Sequence, residues 1–258
     1  MPPTPRARTV AELTDQYIRT LTPPPPVGPG VCDVCHNAPN PGYARCYSCA
    51  QTMGQVSCPL SLVVPITLYR RNSQMLHVLW GYKNQPDARA RQSFRTVVAA
   101  LLYRFLDEHG ECVENAADSE WDAADSEWDA LTTVPSSTAR EGAHPLERAI
   151  NMAPPLREIH ERLLQRGEAQ LGHNQANDQG FATTTNVDGT RVLLVDDTFT
   201  SGARLQSAAS ALTLAGATVV AAVVVGRFCN PGFNDVTQQL WDDASAQRFS
   251  FGTCCLEG

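Results

Sequence analysis

A chain of 258 residues with 20 basic and 27 acidic side chains, 43% hydrophobic and 18% charged, has the composition of a globular protein able to bury a sizeable core. No uninterrupted apolar run approaches the roughly twenty residues of a membrane span, and the N-terminus lacks the apolar core of a signal peptide; the expectation is a cytoplasmic protein without membrane insertion. The net charge of −7 argues against a broad nucleic-acid-binding surface, yet six acids fall in one tandem heptad, and the rest of the chain stands at −1.

Residues 9–21, TVAELTDQYIRTL, put Val10, Leu13, Tyr17, Ile18 and Leu21 on one helical face. That face needs a partner, either the body of the chain or a second protomer in a homo-oligomer. The proline run at 23–26 ends the helix and makes a stiff spacer, so 1–30 reads as an N-terminal helix and linker.

Two C-x2-C knuckles follow, Cys32–Cys35 and Cys46–Cys49, ten residues apart. Four thiolates at this spacing suit one tetrahedral, structural Zn²⁺ with no open position, and 31–58 reads as a zinc ribbon. Disulfide or redox chemistry is the alternative, disfavoured where the compartment keeps thiols reduced. His36 adjoins the cluster without belonging to it. Cys58, Cys112, Cys229, Cys254 and Cys255 lack comparable spacing and read as core or terminal thiols.

Residues 61–84 open β-rich, turn near Arg71–Ser73 and close apolar, which fits a hairpin or a strand–turn–helix; 59–86 is expected to form a hairpin-like hood. A helix follows over about 87–109, with Phe94, Val97, Val98, Leu101, Leu102, Phe105 and Leu106 facing inward. The heptad AADSEWD occurs twice over 116–129 and reads as a solvated insertion, helical or disordered. Beyond it, LTTVPSSTAREGAHPLERAI reads as a short strand, a turn and a helix entered near Pro145. Its turn offers hydroxyls, amides and Arg140 to an anion, although an ordinary strand-to-helix turn would look similar. Residues 167–190 are polar and aperiodic, a candidate lid with no basic residue between Gly167 and Arg191 apart from charge on His173.

The rest of the chain is arranged around RVLLVDDTFTSGAR, residues 191–204. Val192–Val195 has the composition of a strand buried on both faces, and it ends in Asp196 and Asp197. The loop TFTSG turns hydroxyls and amides toward the positive end of a helix capped by Gly216. A phosphate site beside two carboxylates that accept from vicinal hydroxyls suits a ribose 5-phosphate. A plain acidic strand end with an N-capping Ser or Thr is the bland alternative. A further buried strand, ATVVAAVVVGRF, leaves Arg227 and Phe228 where a base or pyrophosphate would lie. Phe233, Trp241, Phe249 and Phe251 then dock the tail on the core.

VLLVDDTFTSGAR resembles the phosphoribosyl-pyrophosphate (PRPP) loop of type I phosphoribosyltransferases. The order of knuckles, Tyr82-Lys83, helix, VP-S/T loop, lid and VDD-T loop resembles the ComF-like members of that family, zinc-ribbon proteins associated with DNA uptake. The resemblance covers about 31–228. It implies an α/β fold with a doubly wound, mainly parallel sheet over 59–258, and transfer of phosphoribosyl from PRPP to a nitrogen nucleophile with release of pyrophosphate and Mg²⁺ on the pyrophosphate. Asp196 and Asp197 would take the ribose hydroxyls, and Thr198, Phe199, Thr200, Ser201, Gly202 and Ala203 the 5-phosphate. Ser136, Ser137, Arg140 and Lys83, the only lysine of the chain, would take the pyrophosphate. The arginine-glycine-phenylalanine-asparagine motif usual in that family's pyrophosphate loop is replaced here by SSTAREGAHP. Two other readings stand beside the enzyme: a regulator that senses PRPP or a nucleotide, and an accessory factor in DNA uptake or repair whose ribbon binds single-stranded DNA or a protein.

Overall fold

The computed structural model describes residues 8–118, 128–136 and 143–257. In chain order its elements begin with α1 (Val10–Thr14), α2 (Tyr47–Met53), β1 (Val63–Tyr69), α3 (Gln74–Asn84) and α4 (Ala88–Asp118). Next come β2 (Ala130–Thr133), α5 (Pro145–Ile150), α6 (Pro154–Ile159), β3 (Leu164–Arg166) and β4 (Phe181–Thr183). The last are β5 (Arg191–Phe199), α7 (Ala203–Leu214), β6 (Thr218–Phe228) and α8 (Asp235–Ala246).

The protein is α/β. Strands β1, β6, β5 and β2 form a parallel sheet in that order. The unbroken Val/Leu/Ala runs of β5 and β6 are explained by burial on both faces. Because side chains alternate along a strand, Leu193, Val195, Val223 and Val225 join one apolar cluster, and Val192, Leu194, Ala222 and Val224 the other. The first cluster is covered by α3, α4 and α5, the second by α7 and the cysteine knuckles. Each fully buried leucine or valine contributes about 1.5–3 kcal/mol, so this layering is what holds the sheet.

Local chemistry sets the helix ends. The Ser73 hydroxyl accepts from the Leu76 N–H at 3.1 Å to start α3, and the Asp87 carboxylate accepts from the Ala90 N–H at 2.7 Å to start α4. At the end of α7 the Gly216 N–H reaches the Thr213 carbonyl and the Ala217 N–H the Leu212 carbonyl, with Gly216 at φ 95°. This is a Schellman stop, and glycine is needed there for its backbone angle.

Several expectations are corrected. Residues 63–84 form a strand–turn–helix, so there is no hairpin-like hood: β1 pairs in parallel with β6 as the edge of the main sheet. Seven successive buried residues in β1 leave no polar face for a separate hairpin. The segment 31–58 carries no strand; its second knuckle opens α2, and its cysteines share an apolar cluster with Val63 and Val224. Helix α4 runs to Asp118, into the start of the acidic repeat. At the far end of the repeat Trp128 packs on the core, and Asp129 exchanges hydrogen bonds with Arg191. The repeat residues between lie outside the described residues.

The N-terminal helix is short, and its face is covered by the same chain: Tyr17, Ile18 and Leu21 join the cluster on α4, where Arg104 donates to Thr14 and Asp15. The segment 167–190 contains β4, antiparallel to β3, and is fastened down at Asp178. That carboxylate accepts from the Ser57 N–H at 2.9 Å and from the Ser210 hydroxyl at 2.6 Å. Among the described residues no helix is long and apolar enough to cross a membrane.

Candidate functional site: an acidic strand end beside a four-cysteine cluster

Strand β5 continues through the acidic pair to Phe199, so the connection to α7 is only Thr200, Ser201 and Gly202. Gly202 adopts φ 79°, and a Cβ there would stand 2.4 Å from the Phe199 ring. Both the angle and the crowding require glycine. As the N-cap of α7 it brings no side chain to the first N–H groups, which have no partner within a helix. Phe199 and Ala203 are buried beneath this turn, Ser201 is buried within it, and Thr200 is exposed at its rim.

Successive strand residues face opposite ways, and this separates the two acids. Asp197 meets α3: the Tyr82 hydroxyl donates to its carboxylate, and Lys83 forms an ion pair with it. Thr198 also donates to it, at 3.2 Å. Burial alone would raise the Asp197 carboxyl, but Lys83 and the Tyr82 hydrogen bond outweigh it and hold the group below the ordinary carboxylate range. Among the described residues Asp196 carries no such ion pair. Burial pushes it up, against the opposing pull of the Arg204 charge, and the neighbouring Asp197 pushes it further. One site therefore holds a carboxylate that stays charged and a carboxyl that favours its proton. His144 feels the same charges; burial, with Lys83 and Arg204 nearby, lowers its imidazole to about 4 despite the pull of Asp197.

The four cysteines come together. Cys32, Cys35, Cys46 and Cys49 are all buried, with their sulfurs within 4.8 Å of one another. Cys35 and Cys46 lie 3.7 Å apart, close to the roughly 3.75 Å that two Zn–S bonds of 2.3 Å subtend in a tetrahedron. A donor set of four thiolates at that spacing fits a structural metal ion such as zinc. The cluster would carry surplus negative charge, and a buried cation faces it. Arg227 is only 3% exposed; its Nη2 lies 4.0 Å from the Cys46 sulfur. Burial would lower the Arg227 guanidinium, but the Cys35, Cys46 and Cys49 sulfurs outweigh that and raise it. From the same guanidinium, Nη1 donates to the carbonyls of Phe199 at 3.2 Å and Thr200 at 3.0 Å.

Set against protein-family models, curated proteins and solved structures, the chain has no match. Its own geometry must carry the reading.

Of the residues singled out in the sequence, Asp196 to Ala203 form one continuous strand end, turn and helix start, and Lys83 joins them at Asp197. Ser136 lies at the neighbouring loop, where its carbonyl accepts from Arg166 at 3.0 Å; Ser137 and Arg140 lie outside the described residues. Arg227 is turned inward to the sulfurs instead of toward a ligand. His36, by φ 58° and a 2.8 Å contact from its ring to the Pro25 carbonyl, stays out of the cysteine cluster.

Three site residues escaped sequence reading. In the sequence Tyr82 is marked only as the neighbour of Lys83 and has no role; its hydroxyl matters because α3 brings it to the Asp197 carboxylate. Arg204 donates to the Pro135 carbonyl at 2.5 Å, tying the start of α7 to the loop after β2, and its Nε is buried without a hydrogen-bond partner among the described residues. Its position just past the glycine turn was the available signal. His144, immediately before Pro145, had only its place at a helix start to mark it.

Proposed function

We propose that the protein is a phosphoribosyltransferase-like protein of the ComF-like, type I kind, binding PRPP with Mg²⁺ and transferring phosphoribosyl to a nitrogen nucleophile with release of pyrophosphate. The observation that carries this reading is the buried Asp196–Asp197 strand end, joined by a three-residue turn to the uncapped start of α7 at the carboxyl edge of a parallel sheet. The amides of that turn and its hydroxyls receive the 5-phosphate; the Asp197 carboxylate and the neighbouring Asp196 carboxyl hydrogen-bond the ribose hydroxyls. The diphosphate goes toward the loop after β2, where Arg204 Nε has no partner among the described residues and Arg166 borders a cavity of about 320 Å³.

The protein's part is orientation and charge. Transfer at ribose C1 breaks the C–O bond to pyrophosphate as the new C–N bond forms, and positive charge develops on the ring. Asp197, held ionised by Lys83 and Tyr82, supplies the fixed negative charge nearby. Lys83 must share or release Asp197 when ribose hydroxyls arrive, which leaves its ammonium to the diphosphate. Mg²⁺ bound with the diphosphate would neutralise its oxygens; Asp196 and Asp197 are too few to form a closed ligand set of their own for it. Phe233, expected to dock on the core, is exposed instead, and with the exposed ring of Tyr47 it walls a cavity of about 400 Å³ that Thr200 also lines, a fit for a planar nitrogen heterocycle.

A PRPP- or nucleotide-sensing regulator is the second reading. It is favoured by the fastening of Asp178 to Ser57 and Ser210, which holds the 167–183 segment down instead of free to close over a substrate. Calorimetric titration with PRPP and Mg²⁺ tests both, beside the Asp196→Asn/Asp197→Asn double variant. Binding by the wild type and its loss in a folded variant are expected; no binding by folded wild type overturns the transferase and the PRPP-sensing reading alike. Pyrophosphate release with a heterocyclic amine or base then selects the transferase over the sensor.

A further inference from the structure

A second group of metal-ligand side chains is contributed by α4 and the C-terminal tail, and neither the knuckles nor the PRPP reading uses it. His109 and Cys112 are one turn apart on α4 and so share a face. Cys254 and Glu257 are one turn apart in the tail, where the Glu257 N–H donates to the Cys254 carbonyl at 3.2 Å. Ligand atoms of all four lie within 4.8 Å of one another.

We propose that His109, Cys112, Cys254 and Glu257 form a second zinc site that clamps the C-terminal tail onto α4. The distances support tetrahedral ligation. Cys112 Sγ is 3.6 Å from His109 Nδ1 and 3.4 Å from Glu257 Oε1, and Nδ1 is 3.9 Å from that oxygen. Zn–S bonds near 2.3 Å and Zn–N or Zn–O bonds near 2.0–2.2 Å at tetrahedral angles separate sulfur from nitrogen or oxygen by about 3.4–3.7 Å, which both sulfur distances match, and nitrogen from oxygen by about 3.3–3.6 Å, so Nδ1 and Oε1 close by a few tenths of an ångström on binding.

The orientation of each ligand is already set. His109 is 2% exposed, and its Nε2 lies 2.5 Å from the Phe251 carbonyl. A carbonyl can only accept, so Nε2 carries the proton and the Nδ1 lone pair of the neutral ring faces the sulfurs and the carboxylate. A second ring nitrogen tied to a backbone carbonyl is the usual outer support of a metal-bound histidine. Glu257 is held likewise: its Oε2 accepts from the Cys254 N–H at 2.9 Å, which leaves Oε1 to the cluster. One nitrogen, two sulfurs and one oxygen complete a closed structural zinc shell. On binding, the two thiols release their protons to solvent and Zn²⁺ takes both as thiolates. The clamp has a purpose in the fold, since Phe249, Phe251 and Cys255 of this tail cover the apolar cluster around α4 and β1. A disulfide between Cys112 and Cys254 is the competing chemistry, and it would leave His109 and Glu257 unused.

The test is zinc content of the full-length chain purified with reductant and titrated with Zn²⁺ alone, compared with Cys112→Ser/Cys254→Ser. Both cysteines are only half-buried, and circular dichroism checks that the variant folds. The proposal expects the variant to bind one Zn²⁺ fewer per chain, a difference that does not depend on the four-cysteine cluster. Cobalt in place of zinc should lose in the variant the absorption of a mixed sulfur–nitrogen site while keeping that of a four-sulfur site. His109→Ala should lose the same ion with both thiols intact. Equal zinc content in wild type and variants, or a Cys112–Cys254 disulfide that persists in the zinc-loaded chain, would overturn it.

Discussion

Arg227 stands with its Nη2 4.0 Å from the Cys46 sulfur, while Nη1 of the same guanidinium donates to the Thr200 carbonyl at 3.0 Å. One buried cation thus joins the cysteine cluster to the turn that ends β5. A four-thiolate zinc carries two surplus negative charges, and in a buried setting these need a nearby cation. The knuckles are therefore part of the site's scaffold as well as a folding staple.

Replacing Arg227 removes that cation. Arg227→Ala should destabilise the zinc-loaded protein by about 3–5 kcal/mol, the range for removing one partner of a buried charge pair. Arg227→Lys should recover part of this, since an ammonium keeps the charge but lacks the planar fork that reaches sulfur and two carbonyls together. Denaturant unfolding of the three proteins gives the order; equal stability of all three would sever the link between cluster and turn.

Gly202→Ala combines a left-handed backbone angle with a Cβ driven into the Phe199 ring. A cost of about 1–3 kcal/mol is expected from the backbone alone. Because the strain falls on the turn itself, the PRPP binding proposed above should weaken at least tenfold even where the protein remains folded. Unfolding curves and calorimetry measure the two effects separately.

Tyr82→Phe deletes one hydrogen bond to the Asp197 carboxylate and should cost about 1.5–3 kcal/mol near neutral pH. The folded-state value of Asp197 is depressed, so the stability it contributes is present above the ordinary carboxyl value and lost as pH falls through its own lower one. The gap between wild type and Tyr82→Phe should accordingly narrow below about pH 4. A gap of constant size down to pH 2 would assign the Tyr82 effect to packing.

Asp196 has the opposite sign. Its folded-state value is raised by burial, so the folded protein binds the proton more tightly than the unfolded chain. Stability should fall as pH climbs above about 4 and level off once the raised value is passed. Asp196→Asn removes that slope, and its stability relative to wild type should rise between pH 4 and 8. Thermal midpoints across this range decide it; parallel profiles for the two proteins would mean that Asp196 is not the group responsible.

By itself the sequence determined what short-range patterns dictate. Continuous Val/Leu runs required strands buried on both faces, the glycine after TFTS marked a turn into a helix, and two C-x2-C pairs brought four thiols within reach of one ion. Each signal lies within a few residues, where bond geometry leaves little choice. The hood was misjudged because an apolar run looks the same in a hairpin as at the edge of a parallel sheet; only pairing with β6, more than 150 residues away, distinguishes them. Tertiary structure alone decided that Tyr82 and Lys83 meet Asp197, that Arg227 turns to Cys46, and that Cys112 meets Cys254. These contacts follow from which face of one element packs on which face of another, and the burial that drives such packing is non-directional, so no local pattern encodes the partner.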